Sequence, residues 1–225
     1  MPDSVIRAIE HDLPAELEVW WIDLDAGHPV RDGEPAESAG FETDSIRRRT
    51  RARSLLFDLL SRRLGRPVEE SEIVSGPEGK PRLRGDSLPF NLSHSAGELL
   101  IGVGTDVDIG VDLEVVRAVP EAGAFVREYL TASERAAWHR LPPHARDRFL
   151  LDRWTRKEAC LKALGVGLSV SPADVPVGDG RDTRRVAVAV PGRRRMLMVA
   201  SLELPSGSSG AAAVVLPTTG PQSTG

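Results

Sequence analysis

Apolar positions fall into two successive series, each a helix signal followed by strand signals. ELEVWWIDLD (16–25) alternates enough to form a strand, and a Gly-, Pro- and Glu-rich loop is expected to about Thr43. From Asp44, a cap residue, the spacing of Ile46, Leu55, Leu56, Leu59, Leu60 and Leu64 predicts a helix that Gly65 stops. Strand-like runs follow at 72–74, 88–92, 99–103 and 109–115, with GPEGKP (76–81) as a turn. In the second half, a helix is expected over 120–130. Thr131-Ala-Ser-Glu134 fits a capping box opening a short helix, and Pro143 suits the first turn of a long helix ending near Gly165. Runs at 185–190, 196–204 and 211–216 read as strands, and the last nine residues as a frayed tail. The twofold order predicts an α+β chain of two similar lobes, each with a helix packed on a mainly antiparallel sheet. The expected boundaries are an N-terminal lobe at 1–106, a C-terminal lobe at 107–216 and a tail at 217–225.

Composition narrows the classes. Of 225 residues, 40% are hydrophobic and 28% charged, and the net charge of −4 argues against a general nucleic-acid binder. No run of about 18 apolar residues occurs, and the first residues lack the basic-then-apolar pattern of a secretory signal. The single cysteine, Cys160, excludes internal disulfides and multi-cysteine zinc sites, and the chain reads as cytoplasmic. Of 29 basic residues only three are lysines, Lys80, Lys157 and Lys162. Lysine is a compact charge whose pKa moves readily, so these positions lead the search for chemistry.

In the strand containing Gly110-Val111-Asp112-Leu113-Glu114, Asp112 and Glu114 share a face. They are either solvated acids at a strand end or a pair awaiting a hard cation such as Mg²⁺. In Trp154-Thr155-Arg156-Lys157-Glu158, continuing to Lys162, Glu158 and Lys162 are one helical turn apart. They form either a surface ion pair or a metal ligand, or general base, beside a phosphate-binding cation. Trp154 reads as a core residue, and Cys160 as a small buried one. Phe90-Asn91-Leu92-Ser93-His94-Ser95 places His94 in a polar turn after an apolar strand, where it is structural or a phosphate donor. A Ser–His hydrolase fits poorly, since the two are sequence neighbours and no G-x-S-x-G elbow occurs. Gly79-Lys80-Pro81 is not a P-loop, and Gly102-Val103-Gly104 lacks a dinucleotide fingerprint. The arginine row 47–53 is a solvated helix face or a seat for an exposed phosphate.

Taken in order, GKP, NLSHS, GVDLE and WTRKEACLKALGVGL resemble the surfactin-type 4′-phosphopantetheinyl transferases over about residues 45–170. The last stretch matches W-[ST]-x-K-E-x-x-x-K-x-x-G-x-G-L throughout, and all three lysines lie within these motifs. The resemblance implies a pseudo-dimeric, monomeric enzyme with internal twofold symmetry and coenzyme A between its lobes. It implies transfer of the phosphopantetheine arm to a serine of an apo acyl or peptidyl carrier protein, as in fatty-acid or secondary-metabolite biosynthesis. By motif match, Asp112, Glu114 and Glu158 hold Mg²⁺, and Glu158, Lys162 and His94 are catalytic. Lys80, Pro81, Ser93, His94, Arg53, Arg49, Lys157 and Lys162 contact coenzyme A. Arg49, one turn before Arg53, is a looser match, and the hold on the 3′-phosphate departs from the family pattern, because the segment 27–43 before this helix is short and acidic where the family has a longer basic one. The carrier is expected to dock around Phe125, Tyr129 and the helix carrying Lys157. Two other functions are weighed, a metal-dependent phosphoesterase acting on a nucleotide and a non-catalytic carrier-binding homologue. No nucleic-acid or membrane partner is expected.

Overall fold

A computed structural model describes residues 6–13, 17–26, 38–85 and 88–217. Strands β1 (Ile6–Ala8), β2 (Leu17–Asp23), β5 (Phe90–Ser95) and β6 (Glu98–Gly104) form one antiparallel sheet in the order β1-β2-β6-β5. Helix α1 (Ser38–Leu64) lies on it, and β3 (Ile73–Ser75) pairs with β4 (Pro81–Leu83) as a separate hairpin. The second sheet, also antiparallel, has the order β7-β10-β9-β8, from β7 (Ile109–Glu114), β8 (Arg184–Val190), β9 (Arg193–Glu203) and β10 (Ser209–Val215). Between β7 and β8 come α2 (Ala122–Tyr129), α3 (Ala132–Arg140) and α4 (Pro143–Leu164).

Alternation along the strands builds the layers. Val19 and Trp21 of β2, Leu100 of β6, and Val111 and Leu113 of β7 join Leu202 and Val214 in a core between the two sheets. The opposite face of the first sheet, with Ile22, Phe90 and Ile101, receives Leu56 and Leu60 of α1. The opposite face of the second, with Val186, Leu197 and Ala211, receives Ala159 and Cys160 of α4. The order is helix, sheet, sheet, helix. Helix α4 sits closest to its sheet over Gly110, where a Cβ would come within 2.1 Å of the Ala159 carbonyl oxygen and 2.4 Å of the Ala163 nitrogen. Only glycine permits that approach.

The capping box forms at α3: Glu134 N donates to Thr131 Oγ1 at 3.3 Å, and Thr131 N donates to Glu134 Oε2 at 2.9 Å. Gly165 ends α4 at φ 65°. Other expectations need correction. Helix α1 begins at Ser38, so Asp44 lies inside it and is no cap. His94, expected in a turn after the strand at 88–92, lies within β5, because pairing with β6 keeps the chain extended to Ser95. Strands β1 and β4 are too short to leave a periodic signal. The tail expected at 217–225 lies outside the described residues apart from Pro217. No helix among the described residues is long and apolar enough to cross a membrane.

Candidate functional site

Strands β5 and β7 are edge strands of different sheets, and they meet along a seam of side chains. Asn91 Oδ1 accepts from Val111 N at 2.8 Å, Ser93 Oγ donates to Asp112 Oδ1 at 2.7 Å, and Ser95 Oγ donates to Glu114 Oε2 at 2.8 Å. Ser95 Oγ also accepts from Val115 N at 3.3 Å. One polar row of period two on β5 thus holds the acidic row on β7. The signal lies in the alternation Asn91, Ser93, Ser95; Asn91 and Ser95 are the two members that motif matching does not pick out.

Helix α4 closes the seam. Lys162 Nζ donates to Asp112 Oδ1 at 2.6 Å and to Ser93 Oγ at 3.2 Å. Glu158, one turn earlier and half-buried, is near enough to Asp112, Lys162 and Glu114 for their charges to act on its carboxyl. Burial, with Asp112 next, raises the Glu158 pKa above the ordinary carboxylate range. Burial also raises that of Asp112, against the pull of Lys162 and Ser93. Asp112 Oδ2 is buried without a hydrogen-bond partner. Such an oxygen is a candidate acceptor for a cation, and Asp112, Glu114 and Glu158 are hard oxygen donors of the type that a divalent cation takes. Among the described residues, no three His, Cys, Asp or Glu side chains stand close enough together to enclose a metal ion as they are. Lys162 is what neutralises Asp112 in this structure.

The remaining predicted residues divide. Lys157, expected against coenzyme A, is a correction. It is 0% exposed, paired with Glu134 Oε2 at 2.9 Å, and donates to the carbonyls of Pro172 at 2.8 Å and Val175 at 2.7 Å. It follows Arg156 on the inner side of α4, so its ammonium is saturated in the core. Arg156 itself donates to the carbonyls of Arg181 and Asp182. The two cations fix the segment after α4. His94 is exposed and, by alternation, on the opposite face of β5 from Ser93, so it is not gathered with Asp112. Arg53 pairs with Glu70 and lies 5.4 Å over the Phe57 ring, and Arg49 is exposed; neither reaches the carboxylates. Lys80 Nζ donates to the carbonyls of Ile109 at 2.9 Å and Ala163 at 3.3 Å, and burial lowers its pKa to about 8. A cavity of about 240 Å³ opens there, lined by Lys80, Pro81, Arg82, Phe90, Asp106 and Asp108, among others. Trp154 stacks edge-on with Phe125 at 5.5 Å and Tyr129 at 5.2 Å, making a half-buried aromatic trio.

A family profile described as the 4′-phosphopantetheinyl transferase superfamily matches residues 108–198, the stretch carrying Asp112, Glu114, Glu158 and Lys162. The chain is 31% identical over 172 residues to a protein of Nostoc sp. named 4′-phosphopantetheinyl transferase HetI, covering 70% of this chain and 72% of that one. It is 30% identical over 123 residues to 4′-phosphopantetheinyl transferase psf-1 of Bacillus pumilus, covering 52% of each. It is 38% identical over 71 residues to a holo-[acyl-carrier-protein] synthase of Geobacillus kaustophilus, covering 31% of this chain and 53% of that one. Apart from the Nostoc protein, the chain spans about half the length of the curated relatives it matches.

Proposed function

The chain belongs to the 4′-phosphopantetheinyl transferase superfamily, and on that premise we propose that it transfers the phosphopantetheine arm of coenzyme A to a serine of an apo acyl or peptidyl carrier protein. The observation that carries this reading is the seam itself. Asp112, Glu114, Glu158 and Lys162 come from two distant stretches and meet where two lobes join, with Asp112 Oδ2 unsatisfied. The lobes are taken as 1–106 and 107–216, in a cytoplasmic, monomeric enzyme.

In the reaction, the carrier serine oxygen bonds to the phosphorus that bears the pantetheine arm. The bond from that phosphorus to the bridging oxygen breaks, and adenosine 3′,5′-bisphosphate leaves with the electron pair. Glu158, alone or through a water, takes the serine proton. Lys162, half exposed to the seam and held by Ser93 and Asp112, supplies a fixed cation to the phosphates. Mg²⁺ bound by Asp112, Glu114 and Glu158 would neutralise pyrophosphate charge against the incoming oxygen. Ser93, Pro81 and the cavity beside Lys80 form the nucleotide side of the reading, with His94, Arg53 and Arg49 as outlying phosphate contacts. The trio of Phe125, Tyr129 and Trp154 is the apolar surface for the carrier.

The test is mass spectrometry of several apo carriers incubated with the protein, coenzyme A and Mg²⁺. A carrier should gain the mass of the phosphopantetheine arm. Nucleotide released from coenzyme A without any carrier would replace this reading with a phosphoesterase, and binding of coenzyme A without turnover would leave a carrier-binding homologue.

A further inference from the structure

Lys80 is the one cofactor candidate from the first lobe whose ammonium is spent on the second. The turn before it is shaped for the crossing: Glu78 and Gly79 have φ of 54° and 77°, and the turn rests on the segment that ends α4. A Cβ at Gly165 would lie 3.6 Å from Lys80 Cδ, and one at Gly167 3.2 Å from Glu78 Cβ. The ammonium then reaches two carbonyls on different elements. Ile109 opens β7, three residues before Asp112, and Ala163 directly follows Lys162.

The last carbonyls of a helix have no partner within it and carry its negative dipole end. In α4 the Leu161 and Lys162 carbonyls are met by Val166 N and Gly165 N, and the Ala163 carbonyl is met by Lys80. Without that contact the last turn of α4 loses an anchor where Lys162 leaves the helix for Asp112. We propose that Lys80 is a positioning residue, a clasp from the first lobe that holds β7 and the end of α4 together and so keeps Lys162 on Asp112. For its effect on turnover this rests on the transferase reading; as a statement about the seam it does not.

The composition supplies the test. With only three lysines in the chain, acylation by an amine-specific reagent, read peptide by peptide, follows each ammonium separately in the whole unligated protein. In Lys80→Met, which keeps the length of the stem and removes the donors, Lys162 should acylate several times faster than in the wild type, with Lys157 still protected. Transfer should show kcat reduced about 10- to 100-fold. Lys80→Arg, still a cationic donor, should restore both readouts most of the way. Unchanged Lys162 labelling in Lys80→Met overturns the clasp. So does a raised KM for coenzyme A at full kcat, which makes Lys80 a nucleotide ligand. Should Lys80→Met not fold, Lys80→Arg decides: retained protection of Lys162 supports the clasp and full reactivity sinks it. The labelling arm needs no turnover, so a failed transferase assay leaves it readable.

Discussion

Strand β2 under α1 and strand β7 under α4 occupy matching places. Each lies beside the last strand of its own unit and beneath that unit's long helix. They differ in what faces the helix. On β2 these positions are Trp20 and Ile22, which pack with Leu56 and Leu60 of α1 in an apolar cluster. On β7 they are Gly110, Asp112 and Glu114, and α4 answers with Ala159, Glu158 and Lys162. Beside α1 in the first lobe charge is kept at the rim, where Arg47 and Arg48 bind Asp25 at 2.7 Å, all three side chains partly exposed. In the second lobe it also lies inside, at the seam in Asp112 and on the inner side of α4 in Lys157 with Glu134. The same architecture therefore yields an apolar packing interface on one side and a charged one on the other. Burying carboxylates costs free energy, and that cost marks the seam as the candidate functional site.

Asp112→Asn tests that contrast most severely. Transfer to the carrier should fall about 10²–10³-fold, while the melting temperature holds or rises, because a buried charge has been removed. A large loss of melting temperature would make Asp112 a structural acid. The second test lies within α4. Lys157→Ala leaves Glu134 buried and unpaired, and denaturant unfolding should show a loss of about 3–5 kcal/mol. Turnover per folded molecule should stay near the wild-type value, opposite to the expectation for Lys162→Ala. On the apolar side, Ile22→Ala should cost about 2–5 kcal/mol in unfolding free energy, with kcat unchanged. A fall in kcat there would mean that both seams serve the chemistry.

The smallest effect concerns Lys80 and pH. Its folded pKa of about 8 lies below the ordinary lysine value of 10.5, through burial, with Asp108 opposing and Arg82 reinforcing the shift. Between those values the unfolded chain binds more protons, so stability should rise with pH across that window. The rise should be below about 3 kcal/mol and absent in Lys80→Met. Denaturant midpoints at pH 7.5 and 10 in both proteins measure it.

Much of the site is legible in the chain because its signals are local. Alternation sets Asp112 with Glu114, helical spacing sets Glu158 with Lys162, and the motif order gives the family that the Nostoc relative then shows. Lys157 shows where locality fails. It is one residue from Glu158 and lies in the same motif, yet a step of 100° on the helix carries it from the seam into the core. His94 and Ser93 are divided in the same way by the pleat of β5.

What the residues determined by themselves is the succession of elements, the acidic and cationic pairs and the chemistry these permit. Only the tertiary structure decided which members of each motif meet, that β5 stitches to β7, and that Lys80 spans the lobes to the end of α4. Periodicity records which face a side chain occupies. It does not record what lies opposite that face, which depends on how layers remote in sequence pack together.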